Sequence, residues 1–344
     1  MEIANRWDAN ADVSLYHGDT MDLLRELPNE AVQLAITSPP YNIAKQYERK
    51  ERLSPEQYLA GQAAVIAECV RVLRPGGSLC WQVGNHVVDG RILPIDILLY
   101  PAFACHSSLA LRNRIVWHFE HGLHCNRRFS GRYEVLLWFT KGDSYAFDLD
   151  PVRVPQKYPG KRAWKGTRVG EYTGNPLGKN PGDVWVFPNV KANHIEKTIH
   201  PCQFPIELVE RFVLSTTVKG DLILDPYMGV GTVACAAVLH TRRAVGAEIV
   251  AEYIQIARHR IALAAQGTLQ TRPMHRPVHS PDPNSALARR DGAHSAHPTV
   301  RSRSPAQGLR IATEAGLLEQ QSGKEPTQLK LACVKPQSSP GLDD

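Results

Sequence analysis

Leu222-Ile223-Leu224-Asp225-Pro226-Tyr227-Met228-Gly229-Val230-Gly231-Thr232 is the stretch that decides the fold. A short apolar run ends on an acid, a turn holds two glycines one residue apart, and Thr232 to Leu239 then reads as a helix. A strand that feeds a glycine turn and a helix is where open α/β sheets bind nucleotides, because bare backbone and the helix N-terminus can approach the ligand. Glu248 closes the next strand, Ala244 to Glu248, about 20 residues on, where an acid accepts hydrogen bonds from ribose hydroxyls. Ala234 stands where a dinucleotide fingerprint has its third glycine, which argues against a nicotinamide oxidoreductase.

Outward from this stretch the chain alternates strand and helix. Upstream, Val13 to His17, Val32 to Thr37, Ser78 to Val83, Arg114 to Phe119 and Tyr133 to Thr140 read as strands. Met21 to Leu27, Pro55 to Leu73 and a segment within Leu93 to Ala110 read as helices. Downstream, helices are expected at Pro205 to Thr217 and Ala251 to Leu263. Such alternation implies a mostly parallel sheet covered on both faces, and the two strands with no helix between them suit an antiparallel edge hairpin. The composition divides the chain into residues 1–143, an irregular segment at 144–199, a second α/β half at 200–265, and a Pro-, Ser-, His- and Arg-rich tail at 266–344 expected to be largely disordered, with one short helix near Leu309 to Gln320.

The balance of residues narrows the class. A hydrophobic content of 43% supports a full core, while a net charge of +6 favours a polyanion as partner. The seven cysteines are scattered and form no Cys-x-x-Cys pair, as expected in a reducing cytoplasm. The most apolar stretch, Ile92 to Ala104, is broken by Pro94, Asp96 and Pro101, so neither a signal peptide nor a membrane span is expected.

A second motif, Thr37-Ser38-Pro39-Pro40-Tyr41-Asn42, follows the apolar run Val32 to Ile36. Prolines fix φ and lack N–H groups, so this turn leaves rigid carbonyls, a hydroxyl and an aromatic ring beyond the end of a strand. That is a platform for a flat ligand bearing an amine. Pro-Pro is also a common strand stop, and the glycine turn downstream is what raises the chemical reading.

Together, Ser38-Pro39-Pro40-Tyr41 and Asp225-Pro226-Tyr227-Met228-Gly229-Val230-Gly231-Thr232 resemble the two hallmark motifs of the S-adenosylmethionine-dependent amino-methyltransferases of DNA. Their order, catalytic motif before glycine turn with a variable segment between, is similar to that family's β class. His200-Pro201-Cys202-Gln203-Phe204-Pro205 resembles the segment lining the methionine side of the cofactor, Gly18-Asp19 the turn contacting its adenine, and Arg132-Tyr133-Glu134 through Lys141-Gly142 the late strand pair. The resemblance spans most of residues 13–265 and implies a Rossmann-like methyltransferase sheet with circularly permuted motifs. Tyr227 replaces the usual Phe and Val230 a common Ser, neither of which obstructs the backbone path. Ser38 stands where many members carry Asp or Asn, and in this family Ser there is found mostly in cytosine-N4 enzymes, with some adenine-N6 enzymes sharing it.

What the resemblance implies is specific. S-adenosylmethionine is expected against Asp19, His200, Gln203, Pro205, Asp225, Pro226, Tyr227, Gly229, Gly231, Thr232 and Glu248. Ser38, Pro39, Pro40 and Tyr41 are expected to be catalytic, on the exocyclic N4 of cytosine or, alternatively, N6 of adenine. Ser38 Oγ and the Pro39 carbonyl are acceptors for the two amine hydrogens, and Tyr41 is placed to stack on a base flipped out of the duplex. A restriction-modification context leaves room for a cognate endonuclease and a homodimer as partners. A homologue that kept DNA binding but lost catalysis is a further alternative, opposed by the intact Ser38, Tyr41, Gly229 and Gly231. Acids at strand ends also cap helices, a reading open to Asp19, Asp225 and Glu248.

Three remaining features have competing readings. Between residues 153 and 197, nine cations face only Glu171, Asp183 and Glu196, with Tyr158, Trp164, Tyr172 and Trp185 interleaved. Lys157, Lys161, Arg162, Lys165, Arg168, Lys179 and Lys191 are therefore candidates for contact with double-stranded DNA, although solvated charge runs are common. Pro201-Cys202 imitates the nucleophile motif of cytosine-C5 methyltransferases, but it precedes the glycine turn and lacks the Glu-Asn-Val those enzymes carry. The cluster His118 to Cys125 is too tight in sequence for one tetrahedral site, so no metal is expected.

Overall fold

The computed structural model describes residues 1–42, 53–88, 90–120, 122, 124–191 and 193–276. The tail from 277 and the short helix expected near Leu309 to Gln320 lie outside the described residues.

Nine strands form one sheet. In chain order they are β1 (Ile3–Ala4), β2 (Val13–His17), β3 (Val32–Thr37), β4 (Leu73–Val83), β7 (Leu109–His118), β8 (Tyr133–Lys141), β9 (Val184–Val186), β10 (Leu222–Asp225) and β11 (Arg243–Glu248); β5 (Asn85–Val88) and β6 (Arg91–Pro94) pair as a separate hairpin. Across the sheet the order is β1-β2-β11-β10-β3-β4-β8-β7-β9. Only β8 runs against the rest: it is antiparallel to both β4 and β7, and β9 returns parallel to β7.

Strand side chains alternate between two layers. On β3 and β10, Leu34, Ile36 and Ile223 join one apolar cluster, with Phe212, Ala234 and Ile261 from α4 (Ile206–Thr216), α5 (Thr232–Leu239) and α6 (Ala251–Ala265). Ala35, Leu222 and Leu224 face the opposite cluster, which holds Leu24, Ile66 and Phe103 from α1 (Thr20–Glu26), α2 (Pro55–Val72) and α3 (Ile95–Ala104). Every residue of β3 and β10 is buried, as parallel strands sandwiched between helices must be.

From β3 the chain passes through α2 to β4 on one side. From β10 it passes through α5 to β11 on the other. The crevice at the carboxyl ends of β3 and β10 is therefore the switch point of the sheet, the place where such folds hold ligands. The two motifs singled out in the sequence follow these two strands directly.

The structure departs from the sequence reading at four points. The helix expected within Leu93 to Ala110 is α3, but the strand expected at Arg114 to Phe119 already begins at Leu109. The hairpin β5–β6 had no signal in the alternation. Within the segment 144–199, expected to be irregular throughout, residues 184–186 form β9, whose pattern of exposed, buried, exposed puts Trp185 into the core beside Phe187 and Val190. Three residues are too few for periodicity to register. The second α/β half also reaches past 265, because Arg272 is buried and Leu269 and Met274 pack against the core.

Candidate active site

A cavity of about 550 Å³ opens at the switch point, within the size range of small-molecule sites. Ser38, Pro39, Pro40 and Tyr41 line it from the end of β3, and Pro226, Tyr227, Gly229 and Thr232 line it from the turn after β10. Asp19, His200, Gln203 and Glu248 complete the set of expected residues that reach it. Three do not: Pro205, Asp225 and Gly231 lie behind the lining.

The displaced three have structural places instead. Pro205 is the N-cap residue of α4. Asp225 is 1% exposed; its Oδ1 accepts from Thr37 Oγ1 at 2.6 Å and from Tyr227 N at 3.1 Å. Burial pushes this carboxyl up to about 7. Gly231 has φ +79°, and a Cβ there would come within 3.0 Å of Ala257 Cβ, so the turn passes close over α6. Arg260, itself buried, donates to Val230 O at 2.6 Å and fastens the turn from beneath.

Around the glycine turn, Glu248 accepts from Gly229 N at 2.9 Å and from Val250 N at 2.7 Å. It therefore shapes the turn and the start of α6, yet its carboxylate has lone pairs left for a ligand. Asp19 accepts from Met21 N at 2.8 Å and caps α1, so both of its readings meet in one residue. Gln203 spends its amide locally, accepting from Thr198 Oγ1 at 2.9 Å and donating to Glu196 O at 2.8 Å. His200 packs against Tyr253 at 4.7 Å between ring centroids, and burial pushes its pKa down to about 4, so the imidazole is neutral at pH 7.

At the Ser-Pro-Pro-Tyr end, Ser38 Oγ and Tyr41 OH are 3.2 Å apart, and Tyr41 OH donates to Glu134 Oε2 at 3.5 Å. Gln82 Nε2 donates to the same oxygen. Burial and the neighbouring Glu134 raise the Tyr41 phenol well above its ordinary range, while burial pushes Glu134 up to about 7. Asn42, with φ +56°, donates from Nδ2 to Leu53 O at 2.8 Å and accepts from Leu53 N at 3.0 Å. It thereby joins the proline turn to the lead-in of α2.

Sequence reasoning missed one wall of the cavity. Gln57, Tyr58, Gly61, Gln62 and Val65 of α2 line it, and Gln62 donates to Tyr227 OH at 3.1 Å. The available signal was Gln62 on an otherwise apolar helix face. Ile249, 64% exposed, was also missed; it lines the cavity directly after Glu248.

The basic segment divides. Lys157, Lys161, Arg162, Lys165 and Arg168 occupy an exposed arm closed by the bridges Val154↔Lys179 and Arg162↔Tyr172. Arg162 stacks on Tyr172 at 4.0 Å and Arg168 pairs with Glu171 at 2.8 Å, whereas Lys157 and Lys165 only lean on the adjacent rings of Tyr158 and Trp164. Lys191 stands apart and donates to Pro201 O at 3.0 Å. A second cationic feature appears between β7 and β8, where Arg127 and Arg128 precede Phe129, which is 99% exposed. Among the described residues no cluster of His, Cys, Asp and Glu could hold a metal, and no helix is long and apolar enough to cross a membrane.

A family model described as DNA methylase, covering N6 and N4 enzymes, matches residues 32–259. The chain is 52% identical over 246 residues to the Type II methyltransferase M.BglII of Bacillus subtilis, covering 71% of this chain and 67% of that protein. It is 30% identical over 264 residues to the DNA adenine methyltransferase YhdJ of Escherichia coli, covering 74% and 85%. Among solved structures, PvuII DNA methyltransferase (cytosine-N4-specific) aligns with TM-score 0.58 at 19% identity over 77% of this chain and 96% of that one, a likeness of fold. TTHA0409 of Thermus thermophilus, solved with S-adenosyl-L-methionine, aligns with TM-score 0.50 at 27% identity over 74% and 96%.

Proposed function

Because the chain belongs to the DNA methylase family of N6 and N4 amino-methyltransferases, we propose that it methylates the exocyclic N4 of cytosine in double-stranded DNA. S-adenosylmethionine is the cofactor, and the cavity suits it: a glycine turn whose backbone a ligand can approach closely, the Glu248 carboxylate for ribose hydroxyls, Ile249 as an apolar face for a purine, and a neutral His200 that adds no charge to a site meant for a cation. When bound, it supplies the methyl group as a sulfonium electrophile.

The observation that carries the proposal is that Ser38, the prolines and Tyr41 line the same cavity as the glycine turn. An exocyclic amine conjugated with its ring is a weak nucleophile. Ser38 Oγ and the Pro39 carbonyl accept its two hydrogens, which turns the nitrogen lone pair toward the electrophile and holds it in line. Tyr41 stacks on the extruded base and replaces part of the stacking lost from the duplex. Catalysis is mostly positioning, with no covalent intermediate on the protein.

Lys157, Lys161, Lys165, Lys179 and Lys191 supply phosphate contacts, with Arg162 and Arg168 bracing the arm, and Arg127, Arg128 and Phe129 extend the DNA face. The Type II relatives suggest a cognate endonuclease of the same specificity. The preference for cytosine rests on Ser38. The similarity to an adenine methyltransferase favours N6 of adenine as the second reading. Methylation of unmodified genomic DNA followed by nucleoside analysis decides between them: N4-methylcytosine is expected, N6-methyladenine overturns the base, and 5-methylcytosine overturns the mechanism.

A further inference from the structure

We propose that Ser38, Tyr41 and Glu134 form a proton relay that carries the proton released by methyl transfer from the target amine to the Glu134 carboxylate. The proposal rests on the amino-methyltransferase reading above and adds an acceptor that the Ser-Pro-Pro-Tyr motif itself does not contain.

Methylation of an amine leaves a surplus proton. The nitrogen lone pair forms the new N–C bond and the C–S pair leaves with sulfur, so the nitrogen carries a positive charge until one N–H bond gives its electrons back. Ser38 is the group in contact, and a hydroxyl is a poor terminal base. It accepts a proton only if it passes its own onward.

The onward partners are in place. Ser38 Oγ is 3.2 Å from Tyr41 OH, and Tyr41 OH is 3.5 Å from Glu134 Oε2. Each hydroxyl can accept one hydrogen and donate another, and the carboxylate accepts. The proton from the methylated amine goes to Ser38 Oγ, the Ser38 hydrogen to Tyr41 O, and the Tyr41 hydrogen to Glu134 Oε2, leaving a neutral carboxylic acid that later ionises to water. The 3.5 Å link is the long one, and such bonds commonly tighten when substrate is bound.

The fold explains why an acid sits there. β8 is the one reversed strand, so its first residues, not its last, reach the rim where β3 and β4 end. Glu134 is the second residue of β8. Gln82, near the end of β4, donates to Glu134 Oε2 and holds it toward Tyr41. Gly84 leaves the gap open: a Cβ there would lie 3.2 Å from Glu134 Oε1 and 3.3 Å from Tyr41 Cε2. Burial, opposed by the Gln82 and Tyr41 hydrogen bonds and by the charge of Lys191, holds the Glu134 pKa at about 7, so the group can take up and release a proton at neutral pH, while the raised phenol stays neutral and conducts. Glu134 is not among the residues that line the cavity and acts through Tyr41, which is.

The test is the single-turnover methylation rate against pH for the full chain, with S-adenosylmethionine affinity measured separately on each protein. The wild-type rate is expected to fall about tenfold per pH unit below the Glu134 pKa, and Glu134→Gln to be about 10²-fold slower with that pH dependence gone. Tyr41→Phe, which keeps the ring and removes the hydroxyl, is expected to lose the same limb of the profile. Unchanged cofactor affinity in both variants supports a relay. Glu134→Gln or Tyr41→Phe at wild-type speed with a wild-type profile overturns it alone. A wild type that transfers no methyl group to any DNA overturns the functional reading and the relay together.

Discussion

The Thr37 hydroxyl donates a 2.6 Å hydrogen bond to Asp225 Oδ1 and ties together the ends of β3 and β10, the two strands from which the cavity's two motifs depart. The bond makes the separation of the proline turn from the glycine turn a property of the sheet. Asp225 thus contributes geometry rather than a direct ligand contact, with its second oxygen buried and without a hydrogen-bond partner among the described residues.

This role gives Asp225 a pH signature. Burial outweighs its two hydrogen bonds and pushes its folded-state pKa up to about 7, whereas the unfolded chain titrates at about 3.9. The folded state holds the proton across that window and the unfolded state releases it, so stability from this group is present in acid and lost as pH rises toward 7. Asp225→Asn keeps an acceptor for Thr37 and Tyr227 and carries no charge. In urea unfolding, the variant should gain on the wild type between pH 5 and pH 8. An equal difference at both values contradicts the assignment.

Tyr41 and Glu248 should separate the two halves of the site. Tyr41→Ala removes the ring proposed to stack on the flipped base, worth about 1–3 kcal/mol, so turnover should fall about 10- to 100-fold below that of Tyr41→Phe while S-adenosylmethionine binding stays nearly intact. Glu248→Gln weakens an acceptor for ribose hydroxyls and the grip on Gly229 N, so cofactor affinity should drop first. Calorimetric titration with the cofactor beside single-turnover kinetics reads both, and equal losses of affinity in the two variants would refute the division.

How far the site was legible depended on where its residues lie along the chain. Ser38 to Tyr41 and Gly229 to Thr232 announce themselves because proline and glycine are required by the backbone, and backbone requirements are local. Glu134, Gln82 and Gln62 carry no local mark; they matter because β8 is reversed and α2 crosses the crevice, which are facts of tertiary arrangement. Asp225 reads as a ligand from sequence because an acid at a strand end looks the same whether it faces the cavity or, as here, hydrogen-bonds to the neighbouring strand. Strands β2, β3, β4, β10 and β11 and their helices followed from alternation, but β9 with its buried Trp185 is too short to alternate.

The arm at 153–179 offers a graded test of DNA contact. Arg168 is held by Glu171 and Arg162 by the ring of Tyr172 and by Gly170 O, whereas Lys161 and Lys179 are exposed and no ion pair involves them among the described residues. Lys161→Ala and Lys179→Ala should each lower the slope of log affinity against log salt by about 1, with little change in sequence preference. Arg162→Ala should instead loosen the arm itself. Fluorescence anisotropy with a labelled duplex at several salt concentrations measures the slopes, and slopes identical to wild type for both lysines would remove the arm from the DNA face.

Arg272 makes a last, purely structural case. It lies beyond α6, yet it is 8% exposed, and its guanidinium pairs with Glu207 of α4, which has no exposed surface. Its backbone N–H also donates to Glu196 Oε1 at 3.0 Å, while Glu196 Oε2 accepts from Ile206 N at 2.9 Å. The chain after α6 is thereby stapled to the start of α4, next to the His200 to Phe204 segment that lines the cavity. Even with this partner, burial pushes Glu207 up to about 8, so an unpaired carboxylate here is costly. Measured at pH 9, above the Glu207 pKa, Arg272→Met should destabilise the fold by about 3–5 kcal/mol, and adding Glu207→Gln should recover much of the loss, because at that pH the penalty lies in keeping the buried acid ionised or protonating it and not in the missing attraction. Urea midpoints of the two single variants and the double variant provide the comparison; a double variant as unstable as Arg272→Met alone would show that the arginine acts by packing.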